Sequence, residues 1–148
     1  MYKDEIAQIR LFNRYYTSVI GLLDKHYLNS DFSLTETRIM FELYHKADGL
    51  TASELIGLLH LDKGYLSRML QMFEKKKLVE KKRSAYDGRS FHLYLSPLGV
   101  ETFSKINAAA EHLTIQMLDP LSKTEADELV AHMNAIRQIL GKSNAQNT

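Results

Sequence analysis

Lys63, Gly64, Ser67, Arg68, Gln71 and Lys75 recur at a spacing that places them on one side of a helix, at about 100° per residue. They are hydrogen-bond donors of different lengths plus one residue with no side chain. Such a set suits the edges of DNA bases. A guanidinium such as Arg68 can pair with guanine, an amide such as Gln71 with adenine, and a hydroxyl such as Ser67 with a base or a phosphate. Gly64 costs about 1 kcal/mol against Ala inside a helix. Close approach to a DNA backbone is a compensating reason. Tyr65 borders the same face, within reach of a phosphate or a thymine methyl. The chemistry implied is recognition of double-stranded DNA.

A polar helix face is by itself often only a solvated surface, and its sequel decides. Lys75, Lys76, Lys77, Lys81, Lys82 and Arg83 follow, then Asp87-Gly88 and Arg89. Asp-Gly between alternating segments signals a hairpin, because a type I′ turn needs positive φ at both positions. Phe91, Leu93 and Leu95 are expected on one face of the returning strand, with Ser90, His92 and Tyr94 on the other. The basic run lies where a hairpin would track phosphates, and Arg89 at its tip can enter a minor groove. Asp87 can orient Arg89, pair with Arg83 to stiffen the hairpin, or simply form the turn.

These residues need elements to hold them. Thr51 and Glu54 form a T-x-x-E capping box that starts a helix with Ala52, Leu55, Ile56 and Leu59 on one face. His60-Leu61-Asp62 breaks the pattern, and Asp62 can cap the next helix. There, Leu66, Met69, Leu70 and Phe73 form the apolar face opposite the donors. Helix, short turn, helix and hairpin make the layout of a winged helix-turn-helix, over about residues 34–96.

Charge is distributed to match. From Lys63 to Arg89 there are nine Lys or Arg and three acids, a net of +6, while the rest of the chain carries ten bases and fifteen acids, a net of −5. The whole-chain charge of +1 hides this basic segment.

The flanks read as long amphipathic helices. Ile6, Ile9, Tyr16, Ile20, Leu23 and Tyr27 predict one from about Lys3 to Leu28. Ser96-Pro97 looks like an N-cap with Pro at the first helical position. The helix it starts runs toward Leu118, carries Phe103, Ile106, Ala110, Leu113 and Met117, and stops at Asp119-Pro120. Ser122 and Glu125 form a second capping box, for a last helix with Leu129, Met133, Ile136 and Leu140 that ends near residue 141 in a polar tail. From the residues alone, these helices can pack as a bundle within one chain or against a second copy. The fold class expected is mainly α with a small β-hairpin wing, in one domain spanning 1–148.

The motifs together resemble the MarR (multiple antibiotic resistance regulator) family of bacterial transcription regulators. The resemblance covers nearly the whole chain and is strongest from Leu34 to Phe103. It rests on Leu34-Thr35, the helix Ala52 to Leu59, LDKGYLSRML at Leu61 to Leu70, FEKKKLVEKKRSAYDGRS at Phe73 to Ser90, and L-S-P-L-G at Leu95 to Gly99. The family's Asp-x-Arg wing signature stands at Asp87-Gly88-Arg89. One departure is Arg38, where the family often has Gln. The resemblance implies a homodimer, with about 3–28 and 97–141 as dimerisation helices, reading a pseudo-palindromic operator, more often as a repressor than an activator. It also implies release of DNA when a small aromatic or anionic effector binds between the dimer helices and the winged domain. Tyr16, Phe41 and Tyr44 are candidates to line that cleft, although aromatics at helical spacing are more often core.

Other classes find less support. The chain contains no cysteine, which excludes thiol-based oxidant sensing. Its six histidines show no H-x-x-x-H arrangement, and zinc-sensing relatives carry Glu-His where Ile39-Met40 stands, so no metal or other cofactor is expected. No phosphate loop or nucleophile motif suggests an enzyme. MYKDEIAQIR does not read as a signal peptide and no segment reads as a membrane span, which leaves the cytoplasm as the default location. A winged-helix module that docks protein and a metal-responsive regulator remain the alternatives.

Overall fold

Residues 1–21, 30–84 and 88–144 are described in a computed structural model of the chain. The order is α1 (Lys3–Val19), α2 (Leu34–Tyr44), α3 (Ala52–Leu59), α4 (Lys63–Lys75), β1 (Val79–Arg83), β2 (Phe91–Leu95), α5 (Pro97–Leu118) and α6 (Lys123–Asn144). This is the mainly helical chain with a hairpin wing that the periodicities predict. Two units divide it, residues 1–110 and 111–148.

Helix starts are fixed locally. The Ser33 hydroxyl accepts from the Glu36 amide at 3.2 Å and the Glu36 carboxylate accepts from Ser33 N at 3.0 Å, which starts α2. Thr51 and Glu54 do the same for α3, at 3.1 and 2.8 Å. Each such cap satisfies amide donors that would otherwise lack a partner, worth about 1 kcal/mol. In the second unit Ser122 and Glu125 start α6 in the same way.

The core of the first unit gathers Ile39, Met40 and Leu43 of α2, Leu55 and Leu59 of α3, Leu66, Leu70 and Phe73 of α4, then Leu93, Phe103 and Ile106. Full burial of side chains such as Phe73 and Leu66 is worth about 1.5–3 kcal/mol each. β1 and β2 pair antiparallel, with Val79 opposite Leu95 and Arg83 opposite Phe91. Leu50 adds a single bridge to Leu93 on the far side of β2.

Two expectations, both on helix ends, are corrected. The first helix ends at Val19 and not near Leu28: Ile20 caps it and Gly21, at φ 69°, turns the chain. Leu23 and Tyr27 lie outside the described residues. Phe91 is 45% exposed although Leu93 is buried, because the apolar face of β2 extends past the body as the hairpin leaves it. The last helix continues through Gly141 to Asn144.

Candidate nucleic-acid interface

The turn before α4 is made by His60, in the left-handed region at φ 52°. Asp62 then caps α4, its Oδ2 accepting from Tyr65 N at 3.0 Å. With Leu66, Leu70 and Phe73 buried beneath, Lys63, Gly64, Ser67, Arg68, Gln71 and Lys75 are all exposed and Tyr65 is half-buried. The expected reading face is therefore assembled on one helix. Gly64 gains a second reason. A Cβ there would lie 3.2 Å from Asp62 Oδ2, a tight approach, so the missing side chain leaves room for the cap.

The hairpin is tied to this helix. Lys81 Nζ sits 2.8 Å from Glu74 Oε1, joining the base of the wing to the last turn of α4. Between α3, α4 and the hairpin lies an open groove of about 500 Å³, with Ser67, Gln71, Glu74 and Lys81 among its walls. Arg83 lies over the ring of its cross-strand neighbour Phe91, 5.7 Å from the centroid. Lys82 lies 4.8 Å over Tyr94, and Lys76 lies 4.9 Å over Phe32. Gly88 and Arg89 form an exposed turn, and Ser84 N donates to Ser90 O at 3.0 Å behind it. Asp87 lies outside the described residues.

The three candidate effector residues fall into two ring clusters. Tyr16 stacks on Phe12 of its own helix at 5.5 Å. Phe41, Tyr44 and His45 gather around Phe103, at centroid distances from 4.9 to 6.4 Å, and Phe41 and His45 lie 4.1 Å from each other. Among the described residues no group of three or more His, Asp or Glu is placed to hold a metal ion. No described helix is long and apolar enough to cross a membrane.

Residues 30–90, which hold α2 to α4 and β1 and end just before β2, match the family model described as the MarR family. The winged helix belongs to the MarR family. Solved structures share the fold over a longer span. MepR, a transcription regulator of the Staphylococcus aureus multidrug efflux pump MepA, has a TM-score of 0.72 at 21% identity, over 88% of this chain and 96% of that one. Apo MarR from E. coli has 0.69 at 21%, over 86% and 94%. A mutant E. coli MarR complexed with operator DNA has 0.70 at 20%, over 92% and 97%. At such identities the likeness establishes the MarR winged-helix fold. Comparison of the sequence with curated proteins finds no match.

Sequence reasoning missed the Ser33–Glu36 box, although S-x-x-E signals it. It also missed the Glu74–Lys81 pair and the cation–ring contacts, which join residues from separate elements and leave no local signature.

Proposed function

We propose that this chain is a sequence-specific DNA-binding transcriptional regulator, acting as a homodimeric repressor of a pseudo-palindromic operator and released by a small-molecule effector. The observation that carries the reading is the exposed face of α4. It presents Lys63, Ser67, Arg68 and Gln71 beside a hairpin whose tip carries Arg89, while the opposite face is core. That is the geometry in which one helix addresses a major groove and a wing the adjoining minor groove. The relative solved with operator DNA supports the same use of the fold.

Dimerisation is supported by α1. None of its residues is buried, and Ile6, Ile9 and Phe12 are 53, 59 and 47% exposed, an apolar face suited to a second copy. Two copies related by a two-fold axis read an inverted repeat. The effector is the least constrained part. It would act by favouring a dimer whose reading helices no longer match the spacing of B-DNA.

The test is selection of bound duplexes from a random-sequence pool by the purified chain, followed by affinity against salt on the selected sequence. An enriched inverted repeat, bound tightly and weakened steeply by salt, is expected. Enrichment of no sequence overturns the reading and turns attention to a protein partner.

A further inference from the structure

We propose that His92 and Tyr94 are positioning residues: by fastening β2 to the backbone of Asp48 they aim the wing, and so set the base preference that the wing contributes. The inference rests on the DNA-reading function proposed above.

The observations are geometric. His92 and Tyr94 stand two apart on β2 and so share one face of the hairpin. Both reach the same acceptor: the Tyr94 hydroxyl donates to Asp48 O at 2.9 Å, and His92 Nδ1 lies 3.0 Å from that oxygen. A carbonyl oxygen has two lone pairs, and these two donors use both when His92 carries its proton on Nδ1. Beside them Leu50 and Leu93 exchange backbone hydrogen bonds of 3.1 and 2.8 Å. Gly49, between Asp48 and Leu50, lies at φ 73°, and a Cβ there would come within 2.7 Å of Tyr94 Cζ and 2.9 Å of Leu93 O. Only glycine lets the loop lie this close under the ring. Lys82, on the neighbouring strand, covers the same ring from 4.8 Å.

The fastening matters because of where it sits. On the other face the hairpin is held by buried Leu93 and by the Glu74–Lys81 pair. Those contacts fix one side of a two-stranded ribbon, and a ribbon held on one side can still tilt. The Asp48 carbonyl holds the second side. Arg89 is three residues beyond His92, a reach of about 10 Å at strand spacing. A tilt of about 10° at His92 moves the tip by roughly 2 Å, more than the range over which a hydrogen bond survives. The direction of β2 thus decides whether the tip meets its groove.

The experiment compares four full-length chains in the same random-pool selection: wild type, Arg89→Ala, the clamp variant Tyr94→Phe/His92→Ala, and all three substitutions combined. Tyr94→Phe alone is run beside them. It keeps the ring under Lys82 and against Gly49 and deletes only a hydroxyl, which guards against misfolding of the double variant. The readout is base preference at the half-site core, assigned to α4, and separately at the flank, assigned to the wing. The clamp variant is expected to keep the core preference and lose flank preference by about threefold to tenfold. The triple variant is expected to lose no more than Arg89→Ala does, since both act through the tip. Tyr94→Phe alone is expected to show a smaller loss at the same flank positions. A clamp variant with wild-type flank preference overturns the inference, as does equal weakening on every sequence, which would mark general destabilisation. A wild type that reads the core but shows no flank preference also overturns it, while leaving the proposed function standing. A wild type that enriches nothing removes both.

Discussion

Gly99→Ala tests the joint that connects the reading helix, the wing and α5. Gly99 is buried at the start of α5, and a Cβ on it would lie 2.1 Å from the carbonyl oxygen of Leu78 and 3.3 Å from Leu95 Cδ2. The obstacle is backbone, so no rotamer relieves it. To reach even 3.0 Å the start of α5 must withdraw from β1 by roughly 1 Å, and overpacking of this kind costs about 1–3 kcal/mol. Withdrawal also stretches the bonds that make the joint: Ser96 N to Leu78 O at 2.9 Å and the Ser96 hydroxyl to Lys77 O at 2.6 Å. Each hydrogen bond is worth about 1 kcal/mol, so with both lost the expected total is about 3–5 kcal/mol. Gly57→Ala is the control. It lies inside α3 with nothing within 4 Å of a Cβ, so the same substitution there should stabilise by about 0.5–1 kcal/mol. Urea unfolding at one fixed protein concentration measures both, because association would make the midpoint concentration-dependent. A Gly99→Ala cost below about 1 kcal/mol, or the same sign at both glycines, refutes the close approach as the reason for glycine at 99.

Three further outcomes follow from single side chains. Arg68→Ala should weaken binding to the selected duplex by about 1–3 kcal/mol and relax the preference at one base pair. Equal loss on all sequences in competition binding would make Arg68 a phosphate contact. Asp62→Asn keeps a good cap and removes a negative charge at the N-terminal end of the reading helix, so stability should stay within about 0.5 kcal/mol while DNA is bound more tightly. Weaker binding by the Asn variant in fluorescence anisotropy would show instead that the carboxylate accepts from a base. Glu125 is held below the ordinary value of 4.5 by hydrogen bonds from the Ser122 amide and then its hydroxyl. A depressed value means that the carboxylate stabilises α6 at neutral pH and that this contribution is lost as pH falls below 4.5. The helicity difference between wild type and Glu125→Gln should therefore shrink on acidification. A difference undiminished at about pH 3 would place its origin elsewhere than in the charge.

What the sequence disclosed was mostly local. Thr51 with Glu54, Asp62 with Tyr65, and Ser122 with Glu125 are contacts three residues apart, and each marks a helix start that the structure contains. The two faces of α4 follow from one period, and Leu66, Leu70 and Phe73 are buried opposite the donors. The end of α1 is marked by Gly21, while the apolar stripe continues past it in the sequence. Phe91 shows the limit of alternation, which assigns a face to a strand residue but not how far the strand outruns the body beneath it. The contacts that aim the site are non-local. Asp48 meets Tyr94 across 46 positions, and no spacing rule reports such a meeting. Glu74 and Lys81 are close in sequence, yet they belong to a helix and a strand whose mutual angle is set by the core.

The basic segment also looks stronger in the sequence than in the structure. Of the nine cations from Lys63 to Arg89, Lys81 is paired with Glu74, and Lys76, Lys82 and Arg83 lie over the rings of Phe32, Tyr94 and Phe91. Releasing each costs about 0.5–1 kcal/mol, close to what an exposed contact with a phosphate returns, so these four gain little by turning to DNA. Helix N-termini often bind phosphate, but at α4 the Asp62 carboxylate already occupies that place on the Tyr65 amide. Lys63, Arg68, Lys75 and Lys77 make no ion pair or ring contact among the described residues. Phosphate neutralisation should therefore come chiefly from these four and Arg89, about five cations per chain, giving a slope of log K against log salt between about −4 and −5 per chain, against about −8 if all nine engaged. Affinity for the selected duplex between about 50 and 200 mM salt, with stoichiometry determined in parallel, distinguishes the two. A slope near −8 per chain would mean that DNA strips the lysines from their rings and that the wing is rebuilt on binding. A slope between about −4 and −5 would mean that it binds in the form described, with its cations already committed to holding it in shape.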